Sequence, residues 1–250
     1  MEPVEGARTF LTTGNAYDLF MGRYSRLLAA EFADSVGVSA PMMAIDVGCG
    51  PGALTSALVD RLGSGSVFAV DPSPPFVAEC RARHPGVDVR IGRAEEIPFA
   101  DASFDVAMAQ LVLHFVSDPT AATKEMRRVL KPGGRVGACV WDFAQEMEML
   151  RLFWDSALAV DPDAPDEGRT LRFGGVGEIA ELLTTAGFVD VVDTTLTVRS
   201  TYETFDELWD GFLGGIGPAG SFCLSLSPDQ RGAVRAEMFR RLGSPWAPSR

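Results

Sequence analysis

The chain has 250 residues, 46% of them hydrophobic, with 34 acidic against 22 basic residues and a net charge of -12. That composition supports a substantial core and excludes a disordered chain, while the acidic excess disfavours nucleic acid or an anionic lipid surface as partner. No apolar run approaches the roughly 20 residues of a membrane-spanning helix, and residues 1–13 lack the basic and apolar regions of a signal peptide.

Tyr17, Phe20, Met21, Tyr24, Leu27, Leu28 and Phe32 recur at three- and four-residue steps, which predicts an amphipathic helix stopped at Gly37. Residues 42–47 are a short apolar run that reads as a buried strand. It leads into Gly48-Cys49-Gly50-Pro51-Gly52, then a helix with Leu54, Leu58 and Leu62 on one face. Residues 67–70 form a second strand ending at Asp71. Ser73 caps the next helix, with Pro74 at its first position, where a missing N–H costs nothing. That helix stops at His84-Pro85-Gly86. Residues 87–91 and 104–109 are the third and fourth strands. Asp118 and Pro119 open a helix with Met126, Val129 and Leu130 on its buried face; Lys131-Pro132-Gly133-Gly134 ends it, and residues 135–141 are the fifth strand. Alternating strands and helices predict an α/β fold, a Rossmann-like doubly wound and mostly parallel sheet with helices on both faces.

The second half is less regular. Residues 142–160 read as a helix, 161–172 as a polar loop and 178–186 as a helix. Residues 189–199, rich in β-branched types, read as a long strand, and 205–213 and 229–242 as helices, with a glycine-rich stretch from Gly214 to Pro218. There are no internal repeats.

The glycine turn carries the chemistry. It lies between a strand and a helix, where doubly wound sheets bind ligands, and Asp71 ends the next strand, placed to accept hydrogen bonds from ribose hydroxyls. Gly48, Gly50 and Ala53 also satisfy the loose dinucleotide pattern, so spacing alone leaves the nucleoside open. Asp46 weighs against a pyrophosphate directly after it and suits a ligand with positive charge, an ammonium or sulfonium.

The segment Ala44-Ile45-Asp46-Val47-Gly48-Cys49-Gly50-Pro51-Gly52 resembles the first motif of class I S-adenosylmethionine-dependent methyltransferases, and Asp71 matches their ribose-binding acid. Residues 92–99 and 101–105 resemble the third and fourth motifs, and Leu130-Lys131-Pro132-Gly133-Gly134 the turn before strand five. The subfamily is similar to the type 11 group, and residues 16–25 resemble its N-terminal helix, which closes over the cofactor. The resemblance implies one domain over residues 1–250. Its cofactor core spans about 40–141, with cover and substrate elements at 10–37, 142–175 and 201–242.

By that resemblance the backbone of Gly48, Gly50 and Gly52 and the side chain of Cys49 surround the methionine part of S-adenosylmethionine. Asp46 receives its ammonium, directly or through water. Asp71 holds the ribose, Pro72 and Ser73 lie beside the adenosine, and Ala94 and Glu95 meet the adenine. Arg93 stands where relatives often carry Asp, so the exocyclic amine falls to Glu95 or to a backbone carbonyl. Gln110 lies near the sulfonium or caps the loop as an amide, Leu111 packs beside the cofactor, and Tyr17 and Arg23 reach the methionine end from the N-terminal helix or are, respectively, a core aromatic and a solvated charge. His114 follows strand four and is either a base, if the acceptor must lose a proton, or a loop histidine bonded to backbone; His84 is structural.

The implied partner is a small-molecule acceptor, with S-adenosylhomocysteine as the other product, no nucleic acid and no membrane span. Met147, Met149, Phe153 and Trp154 offer either acceptor surface or ordinary core. Two histidines argue against a metal centre, and four scattered cysteines without a CxxC pair suggest a cytoplasmic protein with reduced thiols. A full sheet of this class ends in a hairpin of strands six and seven. Residues 189–199 fit strand six, but Gly243-Ser244-Pro245-Trp246-Ala247-Pro248-Ser249-Arg250 cannot be a central strand, so strand seven is expected to be absent or replaced, with a homodimer as one consequence. A nicotinamide-dependent dehydrogenase and a non-catalytic cofactor-binding protein are the competing readings.

Overall fold

Five strands, Ala44–Val47 (β1), Val67–Asp71 (β2), Asp88–Ile91 (β3), Phe104–Gln110 (β4) and Leu130–Cys139 (β5), pair in parallel in the order β3-β2-β1-β4-β5. They belong to a computed structural model that describes residues 18–143, 146–169 and 171–243. β1 is buried at every position, as a central parallel strand covered on both faces must be. Its neighbours are β2 and β4, so the chain reverses its direction of travel across the sheet beside β1. That reversal leaves a crevice at the carboxyl ends of β1 and β4.

Side-chain alternation assigns the two faces. Ala44, Val106 and Met108 pack with Phe32 and Ala33 of α1 (Arg23–Val36), Leu54 and Leu58 of α2 (Ala53–Leu62) and Val77 and Cys80 of α3 (Pro74–Arg83). Ile45, Val47, Ala107 and Ala109 face the other way, onto Ala122, Met126 and Val129 of α4 (Pro119–Val129). Asp118 caps α4 as expected, its side chain accepting from Ala121 N–H at 2.9 Å. Ser73 precedes α3, but its hydroxyl makes no cap bond.

A second body of core covers the crevice. It is built from α5 (Glu148–Val160), α7 (Phe205–Leu213), α8 (Gly217–Ser225) and α9 (Pro228–Leu242), with Phe20 and Met21 from the turn before α1. Phe153 stacks on Phe212 with centroids 4.4 Å apart, and Phe20 meets Phe212 edge-on at 5.1 Å. α6 (Glu178–Thr185) packs beside α4.

Four sequence expectations need correction. Residues 189–199 form no strand. Val189 and Val192 are 83% and 84% exposed, and with no neighbouring strand to pair with, β-branched residues alone do not make a ladder. The described sheet is therefore wholly parallel and ends at β5, so neither strand of the expected hairpin is among the described residues. Residues 244–250, on which the missing seventh strand was argued, lie outside them. β5 begins at Leu130, so Lys131 to Gly134 lie inside it, with a register irregularity opposite Phe104 and Val106. The helix expected over 142–160 starts only at Glu148, and the glycine-rich stretch from Gly214 to Pro218 runs into α8, a helix the sequence reading did not give. No helix of the described residues is long and apolar enough to cross a membrane.

Candidate active site

The glycine turn between β1 and α2 needs glycine for a backbone reason. Gly48, Gly50 and Gly52 have φ of 76°, 52° and 101°, the left-handed region that side chains resist. Gly48 and Cys49 N–H both donate to the carbonyl of Val70, at 2.8 and 3.1 Å. Gly50 N–H donates to Asp71 Oδ2 at 2.9 Å, and Ser73 N–H to Asp71 Oδ1 at 2.8 Å. One carboxylate thus fastens the glycine turn to the start of α3. A Cβ on Gly48 would sit 2.5 Å from Val112 Cγ2, whereas a Cβ on Gly50 would meet nothing within 4 Å. Gly48 is hemmed in by protein; Gly50 borders open space.

That space is a cavity between the turn, the ends of β2 and β4, and the helical cover. Asp46, Gly48, Cys49, Gly50, Asp71 and Pro72 line it, as do Ala94, Glu95, Gln110, Leu111 and His114. Asp46 is 1% exposed and accepts from Thr55 Oγ1 at 2.7 Å; burial, with Asp71 nearby, pushes its carboxyl up to about 7. Burial also raises Asp71. Arg93 is the one cationic side chain among the described residues lining the cavity, and it bonds Glu95 and Ser117. Two buried acids, an open cradle at Gly50 and this scarcity of cations fit a ligand that brings its own positive charge and hydroxyl donors. Among the described residues no group of His, Cys, Asp and Glu could hold a metal ion.

Gln110 donates its Nε2 to the carbonyl of Ser25 at 2.9 Å, tying the end of β4 to α1, and its buried Oε1 has no partner. Leu111 follows with φ of 64°, a conformation that costs about 1 kcal/mol for a residue with a side chain. His114 is 2% exposed, packed edge-on against Phe115 and Phe143 at 4.0 and 5.2 Å, with both ring nitrogens unpartnered. Burial pushes its pKa down to about 3, so the ring is neutral. Glu95 Oε1 accepts from the N–H groups of Ser117 and Asp118, at 3.0 and 3.3 Å, and so fixes the loop after β4.

Three of the expected site residues do not line the cavity. Arg23 reaches instead to Glu207, 2.5 Å away, and lies over the Tyr202 ring at 4.1 Å. Gly52 packs against His84, which also meets Ser56 Oγ at 3.1 Å in the structural role expected of it. Ser73 contributes its backbone N–H through Asp71. Tyr17 lies outside the described residues. Met147, Met149, Phe153 and Trp154 belong to the cover's core rather than to the cavity wall. The wall on that side is Phe20, Met21, Trp141, Phe143, Leu150 and Ile216, together with Glu167. The sequence reading missed Glu167 because it sits in an acid-rich loop whose pattern says only that it is polar.

Residues 45–138 match the family described as Methyltransferase domain. An uncharacterized methyltransferase of Mycobacterium tuberculosis (strain ATCC 25618 / H37Rv) is 41% identical over 124 residues, 50% of this chain and 48% of that protein. The nocamycin O-methyltransferase of Saccharothrix syringae is 29% identical over 254 residues, 90% of this chain and 86% of that protein. The crystal structure of an S-adenosylmethionine-dependent methyltransferase from Thermotoga maritima superposes with a TM-score of 0.58 at 25% identity, over 73% of this chain and 81% of that one. The chain spans about half the length of several curated relatives that it matches.

Proposed function

We propose that the chain is a class I S-adenosylmethionine-dependent methyltransferase of the type 11 group, a reading supported by the match of residues 45–138 to the Methyltransferase domain family, and that it transfers the methyl group of S-adenosylmethionine to a small-molecule acceptor held under the helical cover. The observation that carries this reading is the pair of buried acids, Asp46 and Asp71, around a glycine turn whose middle residue borders open space. In it the N–H-lined turn at Gly48 and Gly50 takes the methionine part, with Cys49 as a small neighbour. Asp46 takes the ammonium and Asp71 the ribose hydroxyls. Pro72, Ala94 and Glu95 take the adenosine side, and Gln110 and Leu111 lie near the sulfur.

S-adenosylmethionine supplies a methyl group already activated on a sulfonium. The protein's share is alignment and exclusion of water. Phe20, Met21, Leu150 and Ile216 provide the dry wall, and neutral His114 offers a ring nitrogen to the acceptor's proton. The same reading takes residues 1–250 as one domain and places the four free cysteines in a reducing, cytoplasmic setting. A homodimer is part of it only as a question for ultracentrifugation.

Calorimetric titration with S-adenosylmethionine, S-adenosylhomocysteine and NADH tests the proposal. Saturable binding of the first two and none of NADH is expected; NADH binding without the others would overturn it.

The pH dependence checks the Asp46 contact separately. Its carboxyl is raised to about 7 in the free protein by burial, and an ammonium favours the charged form, so binding lowers that pKa and expels a proton. From pH 5.5 to 7 the affinity for S-adenosylhomocysteine should rise, by up to about tenfold per pH unit, and then level off. Binding heats below pH 7 should depend on the buffer's ionisation enthalpy. A flat profile would remove Asp46 from the ammonium contact.

A further inference from the structure

One buried oxygen in the cavity wall has no donor to meet it. Gln110, the last residue of β4, is 9% exposed, and its Oε1 makes no hydrogen bond. The amide has no way to turn that oxygen aside. Its Nε2 donates to the carbonyl of Ser25 at 2.9 Å, and a flipped amide would set oxygen against oxygen. A buried carbonyl oxygen without a donor is costly, so its retention at a cavity wall points to a ligand that supplies what the protein does not.

The sheet register shows what Gln110 faces. Asp46 of β1 pairs with Met108 of β4, so Gln110, two residues further on, continues the same face of the sheet and comes level with Gly48. Val112 lies equally close, its Cγ2 being 2.5 Å from where a Gly48 Cβ would sit. Asp46, Gly48, Asp71 and Gln110 all line the cavity. Neither acid is idle: Asp46 accepts from Thr55, and Asp71 from Gly50 and Ser73. In the proposed site Asp46 takes the cofactor's ammonium and Asp71 its ribose. The sulfur joins the carbon chain that bears the ammonium to the ribose, which brings it beside Gln110.

We infer that Gln110 Oε1 reads the charge on that sulfur: it meets the partly positive methyl group of the sulfonium and loses the contact once the methyl group has left. This rests on the methyltransferase reading and adds a specificity-determining residue to that same site. An amide oxygen is the end of a dipole rather than a charge. It favours a sulfonium over a thioether without placing a third carboxylate beside Asp46, which burial and Asp71 already push up. When the acceptor displaces the methyl group, the C–S bonding pair stays on sulfur and the charge there vanishes. Oε1 is then unmet again, so turnover itself loosens the hold on the spent cofactor.

The test uses the whole protein and three ligands that share both ends and differ at one centre. S-adenosylmethionine has a methylated sulfonium there, S-adenosylhomocysteine a neutral thioether, and sinefungin a carbon bearing a protonated amine. In calorimetric titrations near neutral pH, sinefungin should bind at least about tenfold more tightly than S-adenosylhomocysteine, through a charge-assisted N–H bond to Oε1. S-adenosylmethionine should bind about threefold more tightly than S-adenosylhomocysteine, through the weaker C–H contact. Gln110→Met fills a similar volume without the oxygen. It should cut sinefungin's advantage at least about fivefold. Losing the Ser25 bond alone would weaken all three ligands together and leave their ratios as they were.

Equal binding of sinefungin and S-adenosylhomocysteine to the wild type would overturn the inference without needing the variant. So would an undiminished sinefungin advantage in Gln110→Met, which would assign the preference to the buried acids. Failure of all three ligands to bind the wild type would instead remove the methyltransferase reading on which the inference stands.

Discussion

Asp71→Ala is expected to weaken S-adenosylmethionine binding by at least about 100-fold, or roughly 2.8 kcal/mol. Two terms add to that loss. A buried carboxylate accepting from two ribose hydroxyls makes charge-assisted bonds of about 1.5–3 kcal/mol each. Asp71 also holds the turn itself, through Gly50 N–H at 2.9 Å and Ser73 N–H at 2.8 Å, so its removal loosens the cradle that the methionine part needs.

Asparagine is no rescue. Each carboxylate oxygen already accepts one backbone N–H, so an amide must turn its NH2 against Gly50 or against Ser73. Thermal melting separates binding from folding. The wild type should melt higher with saturating S-adenosylhomocysteine, whereas Asp71→Ala should show almost no ligand-dependent rise. An affinity within threefold of wild type would take the ribose contact away from Asp71.

How much of this was legible in the sequence follows from where each constraint is written. β1, β2 and β4 could be read because a fully buried parallel strand needs a continuous apolar run, and the glycine turn because three left-handed positions in five residues leave little choice of residue type. Asp118 as a cap is equally local. Residues 189–199 could not be judged from composition, since whether a β-branched run becomes a strand depends on a partner strand that no local pattern reports. Glu167 is the same lesson in reverse. Its neighbours Asp161, Asp163 and Asp166 give the loop a solvent-facing look, and its burial is created by Trp154, thirteen residues away in the chain. Arg23 followed the expected helix but was captured by Glu207 and Tyr202 of the cover, a contact spanning 184 residues for Glu207. The side of the cavity at the glycine turn lies in local motifs; the side under the cover is assembled by tertiary packing.

Two of the three glycines of the turn should fail in different ways. Gly48→Val places a β-branched residue at φ of 76° and drives its Cβ toward Val112 Cγ2, 2.5 Å away. A left-handed backbone costs about 1–2 kcal/mol for a residue with a side chain, and overpacking adds about 1–3 kcal/mol. The sum, about 3 kcal/mol, should lower the melting temperature of a chain this size by roughly 6–12 °C. Gly50→Ala carries only the backbone part, about 1–2 kcal/mol, because no protein atom lies within 4 Å of its new Cβ. Its methyl group enters the space beside the N–H that bonds Asp71, so affinity for S-adenosylhomocysteine should fall at least about tenfold while the fold persists; one displaced contact worth about 1.4 kcal/mol suffices. Differential scanning fluorimetry and calorimetric titration on the two variants read these effects independently. Gly50→Ala with wild-type affinity would mean that the open space at the turn belongs to no ligand, and the cofactor would then have to be sought elsewhere along the β1 and β4 crevice.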